Sequence, residues 1–127
     1  MPENKITTFQ DLDAWKQGHK LVLLVYAITK SFPKKEVFAL VSQMRRCAVS
    51  ITSNLAEGFS RASFRDKAYF YSMALGSLTE LQNQLLISKD LVYLSNDKFA
   101  EPYEQSVRVH KIINGLIKST KERVRNS

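Results

Sequence analysis

The chain has 127 residues, 44% of them hydrophobic and 24% charged, with a formal charge of +7 and a pI near 9.6. That length and apolar content suffice for one domain with its own core, without metals or crosslinks. A single cysteine, Cys47, excludes an intrachain disulfide and a thiolate cluster within one chain, and the basic balance favours anionic partners. No apolar leader opens the chain at Met1-Pro2-Glu3-Asn4-Lys5, and the longest apolar run, residues 21–28, is too short to cross a bilayer. The expectation is a cytoplasmic protein with no membrane partner.

Thr8-Phe9-Gln10-Asp11 has the pattern of a capping box, which predicts a first helix over residues 11–31. Leu12, Trp15, His19, Val22, Tyr26 and Thr29 recur at spacings of three and four, so they form its expected core stripe. Phe32-Pro33 ends it, because proline disfavours helix in the residue before it. Leu21, Leu24 and Ile28 make a second apolar face, and a helix apolar on two sides needs two partners, one of them in another subunit.

A second helix is expected over residues 35–57, with Gly58 free to take the left-handed conformation that closes a helix end. Ser63 with Asp66 repeats the capping pattern and starts a third helix, residues 63–90, whose apolar surface again spreads well round it: Phe64, Tyr71, Leu75, Leu78 and Leu85 on one side, Phe70, Met73, Ala74 and Leu81 beside them. The fourth, residues 96–121, keeps the rhythm Phe99, Tyr103, Val107, His110, Ile113 and Ile117. Pro102 either kinks its first turns or opens its main part, and Gly115 weakens it by about 1 kcal/mol relative to alanine. No stretch alternates with strand periodicity. Four helices with short connections predict an all-α, antiparallel up-down-up-down bundle spanning the whole chain, residues 1–127.

Residues 43–61, QMRRCAVSITSNLAEGFSR, stand out because polar side chains sit beside the apolar line of an amphipathic helix. Gln43, Ser50, Asn54 and Glu57 share one flank, and Ser77, Glu80 and Gln84 share one on the third helix. Two readings stand: a structural network in which Asn54 and Glu57 meet Ser77, Glu80 or nearby arginines, or a small-molecule or anion site. Metal chemistry fails on spacing, since neither Glu57 nor Glu80 has histidine three residues on, and His19 and His110 lack carboxylates at ligand spacing. The two histidines are expected to be partly buried packing residues. Cys47 is expected to pack as a small hydrophobe, Ser50 lacks a nucleophile context, and phosphate-cradling glycine loops are absent. No catalytic residue, metal or cofactor is therefore assigned.

The cations form two groups. Arg45, Arg46, Arg61 and Arg65 lie on or near the second helix and its following turn, while Arg108, Lys111, Lys118, Lys121, Arg123 and Arg125 crowd the end of the chain. Clustered cations of this kind suit phosphate backbones, and equally suit a solvated helix end facing the negative pole of the helix dipole.

The residues also carry a resemblance. Phe32-Pro33 followed by Glu36, Leu40-x-x-Gln43-x-Arg45-Arg46, Ser50-Ile51-x-x-Asn54-x-Ala56-Glu57-Gly58, Arg61 with Ser63, and Ala74-x-Gly76-Ser77-x-x-Glu80-Leu81 together resemble the bundle proteins encoded in intervening sequences of bacterial 23S ribosomal RNA genes, often labelled S23 ribosomal proteins. That label reflects where the genes lie. The resemblance extends to accessory proteins of diversity-generating retroelements. It implies a homopentameric ring, which at five times +7 would carry +35 and attract RNA or DNA, with a nucleic-acid-processing protein as a further partner. It supplies no catalytic residues. The expectation is a non-enzymatic, homo-oligomeric nucleic-acid-binding accessory protein, and the alternative is a protein-interaction scaffold with no nucleic-acid role.

Overall fold

A computed structural model describes residues 5–126; the first four residues, read above for the lack of a leader, lie outside them. The helices are α1 (Asp13–Thr29), α2 (Leu40–Ser60), α3 (Phe64–Asp90) and α4 (Asn96–Asn126), with single 3-10 turns at Phe9–Asp11 and Lys34–Glu36. There is no strand among the described residues. Each helix packs on two neighbours, α1 on α2, α2 on α3, α3 on α4 and α4 back on α1, as short antiparallel connections require. The first turns of α1 and α3 therefore share one end of the bundle with the last turns of α2 and α4.

Leu21, Met44, Ile51, Leu55, Leu78, Leu81, Leu85 and Ile113 are among the largest fully buried side chains. Each contributes about 1.5–3 kcal/mol over its exposed state. The inward face of α1 differs from the expected stripe: Ala14, Gly18, Leu21, Val25 and Thr29 are buried, while Trp15 and Val22 are half-buried and Tyr26 is exposed. Gly18 explains the rotation, since a Cβ there would lie 3.2 Å from the Thr52 methyl, so α1 approaches α2 through its smallest residues. His19 is accordingly exposed, stacked on Trp15 at 4.7 Å, and not the partly buried residue expected. On α4 the same correction replaces Val107, which is exposed, with buried Val109.

Helix ends follow their chemistry. Asp11 accepts the Thr7 and Thr8 amides at 2.9 and 3.1 Å, and these bonds hold its carboxyl below the usual range. Ser63 Oγ accepts the Asp66 amide at 3.1 Å, and Ser95 Oγ the Lys98 amide at 3.2 Å, so both helices start where a hydroxyl can take a free donor. α2 starts at Leu40, later than the expected Lys35. Glu36 accounts for the delay: its Oε1 takes the Leu40 amide at 3.3 Å, and its Oε2 takes the Tyr93 hydroxyl at 2.8 Å, tying this corner to the α3–α4 turn.

Gly58 does not close α2 in the left-handed conformation. The helix continues to Ser60, and no described glycine has positive φ. Its lack of a side chain serves packing, because a Cβ would stand 2.7 Å from the Tyr71 ring and 3.0 Å from Phe70. α4 runs unbroken past buried Pro102 and beyond the expected Lys121 to Asn126. That extension places its last cations alongside the first turns of α3.

Candidate nucleic-acid interface

The polar ladder divides. Ser50 Oγ and Ser77 Oγ are 2.9 Å apart across α2 and α3, and Asn54 Nδ2 donates to Ser50 O and Oγ at 2.9 and 3.1 Å. Those three residues join one another. Glu57 instead forms an ion pair with Arg61 at 2.8 Å one turn on, Gln43 is exposed with no side-chain hydrogen bond among the described residues, and Glu80 is exposed beside the Cys47 thiol. The ladder breaks by exposure: Ser50, Asn54 and Ser77 are half-buried between α2 and α3, whereas Gln43, Glu57 and Glu80 lie on the exposed sides of their helices. No grouping of His, Cys, Asp and Glu suited to a metal occurs among the described residues. Cys47 is buried, and burial pushes its thiol pKa up, outweighing the pull of Gln84 and Arg46. It is a packed hydrophobe with little thiolate.

The cations also separate by what they already hold. Arg45 Nε donates to Thr29 Oγ1 at 3.0 Å and its guanidinium lies 4.6 Å from the Tyr26 ring centre, so it secures the last turn of α1. Arg61 is spent on Glu57 and on the face of Phe70 at 4.6 Å. Arg123 covers Phe64 at 5.3 Å, and Arg108 donates to Gln105, which in turn donates to Gln17 O at 2.8 Å. Lys67 caps α2 by donating to Phe59 O at 2.6 Å, and its partial burial lowers its pKa. Arg46 lines a groove of about 600 Å³ between α1 and α2 with exposed Val37, Phe38 and Val49. Lys111 and Lys118 are exposed on α4.

Arg65, Lys121 and Arg125 are uncommitted like Arg46, Lys111 and Lys118, and the fold brings these three together. They line a groove of about 450 Å³ between α3 and α4, with Ala68, Tyr69, Ser72 and Val124 completing its wall and no carboxylate among its lining. None of the three makes a hydrogen bond, ion pair or ring contact with the described residues. Unpaired cations in a cleft without carboxylates focus positive potential where an anion can enter. The sequence reading did not single out Tyr69, which is 62% exposed in this groove. A signal was present: Arg65 and Tyr69 are four apart, as are Lys121 and Arg125, so each pair shares one helix face.

Among solved structures, one of a protein with unknown function from the S23 ribosomal protein family of Bacteroides thetaiotaomicron VPI-5482 superposes with a TM-score of 0.75. The two are 18% identical, over 83% of this chain and 95% of that one, a likeness that bears on the fold. No curated protein matches. Among the described residues no helix is long and apolar enough to cross a membrane. The profile of the 23S rRNA-intervening sequence proteins matches residues 10–115, within which lie all four helix starts and the Ser50–Asn54–Ser77 contacts, and the chain belongs to that family.

Proposed function

We propose that this protein binds RNA or DNA without catalysing a reaction on it, seating the phosphate backbone against Arg65, Lys121 and Arg125. The observation that carries this reading is the set of three cations in one groove that have neither a partner nor a lining carboxylate among the described residues. Phosphate contacts from such residues are independent of base sequence and release counterions, so affinity falls steeply with salt. Filter binding of structured RNA and duplex DNA at rising salt tests it. No binding at low salt, or binding indifferent to salt, would sink the proposal.

The protein does this as a homo-oligomer, a ring of five being the assembly its family resemblance implies. Leu23 on α1 is 59% exposed and Met73 on α3 is 46% exposed, which suits faces covered by other copies. Light scattering yielding a monomer would contradict the assembly. A scaffold role is the second reading, favoured by Phe38, which is 95% exposed at the rim of the α1/α2 groove. Pull-down of a protein partner that Phe38→Ala releases, with no nucleic acid bound at any salt, would establish it in place of the first.

A further inference from the structure

We infer that the α3/α4 groove takes a single strand in preference to a duplex, with the Tyr69 ring stacking on an unpaired base while Arg65, Lys121 and Arg125 hold the neighbouring phosphates. This rests on the nucleic-acid reading above and specifies its ligand. Cations alone would serve either form, because both present phosphates to solvent. An aromatic face discriminates: in a duplex the base faces are stacked on one another, whereas in a single strand they are free to stack on protein.

Tyr69 is built for that use. At this end of α2 and α3 the other aromatic rings are already covered or buried: Arg61 lies over Phe70, Arg123 over Phe64, Lys67 over Phe59 at 5.3 Å, and Tyr71 is buried. Among the described residues no cation covers Tyr69, yet three uncommitted cations line its groove. Its ring is also held in place, meeting Phe70 edge to face at 5.4 Å and 85°. Phe70 in turn is pinned by Arg61, itself paired with Glu57 at 2.8 Å. A ring fixed in advance loses little freedom when a base stacks on it. On the α3 side the rest of the wall, Ala68 and Ser72, is small, which leaves space beside the ring.

The test is fluorescence anisotropy with the full chain, comparing an oligothymidine with a DNA duplex of equal length at one low salt concentration. Tyr69→Ala should weaken binding of the single strand by about 5- to 150-fold, the cost of losing one stacked base, and change duplex affinity by less than about twofold. Tyr69→Phe should retain single-strand binding, because the face and not the hydroxyl carries the contact. Tyr69 is exposed, so these variants keep the fold, which their melting temperature verifies. Equal loss for both ligands, or no loss for either, overturns the inference. Replacing Arg65, Lys121 and Arg125 together with alanine separates the two claims. If that variant loses both ligands while Tyr69→Ala loses neither, phosphate binding stands and base stacking falls; if the unaltered protein binds neither, both fall.

Discussion

Arg45 and Arg65 have the same side chain, and both belong to the group of arginines around α2 and its following turn. Arg45 bonds to Thr29 and lies over Tyr26, closing the α1/α2 corner, whereas the Arg65 side chain faces a groove with Lys121 and Arg125 and holds nothing among the described residues. A basic residue whose donors are spent inside the fold contributes to stability, and one whose donors are free is available to a ligand. Net charge counts both alike. That distinction, with the convergence of three uncommitted cations on one groove, converts a charge of +7 into a location on the surface.

That contrast is sharpest when the three uncommitted cations of the α3/α4 groove are removed. Changing Arg65, Lys121 and Arg125 together to alanine should lower affinity for nucleic acid by about 10²- to 10³-fold near 0.1 M salt, with no change in melting temperature beyond a degree or so. A large fall in melting temperature would place these residues among the committed ones. A smaller effect of the opposite kind is expected at the corner where Arg61 and Lys67 are held. Gly58→Ala forces a Cβ against the Tyr71 ring, so denaturant unfolding should show a loss of about 1–3 kcal/mol.

Arg45→Ala should cost about 1–2 kcal/mol of stability, through the lost hydrogen bond to buried Thr29 and the lost contact with Tyr26, and should leave nucleic-acid affinity within about twofold. Urea titration and anisotropy on the same preparation check both halves. Loss of binding without loss of stability would invert the comparison. The smallest effect is expected at Gly115, exposed on α4 with open space around the site of a Cβ, where Gly115→Ala should stabilise the protein by about 0.5–1 kcal/mol and leave the groove unaffected.

How much of this was legible in the sequence depended on how local its cause was. The start of α3 was readable because Ser63 caps the Asp66 amide three residues on; the matching bond from Ser95 to the Lys98 amide, at the start of α4, was not singled out. The start of α2 was not, because Glu36 is occupied by Tyr93, 57 residues away, as well as by Leu40. The face α1 buries was misread for a similar reason: a periodic stripe ranks residues by hydrophobicity, while the close approach to Thr52 selects Gly18 for its lack of volume. The Ser50–Ser77 contact lay within the two flanks picked out by helical spacing, and Glu57 meets Arg61, one of the nearby arginines, yet Gln43 and Glu80 lie exposed outside the Ser50–Asn54–Ser77 contacts. The groove was the least visible feature. Arg65 and the pair Lys121 and Arg125 meet only because α3 and α4 run antiparallel and α4 extends to Asn126, and Tyr69 gains meaning only between them.

The most direct test of the central claim, that uncommitted cations make the phosphate contacts, is the slope of log affinity against log salt for duplex DNA. Removing Arg65, Lys121 and Arg125 should flatten that slope by about 2.7, nearly one per residue, while Arg45→Ala leaves it unchanged. An unchanged slope in the triple variant, or an equal flattening on loss of Arg45, would contradict the account.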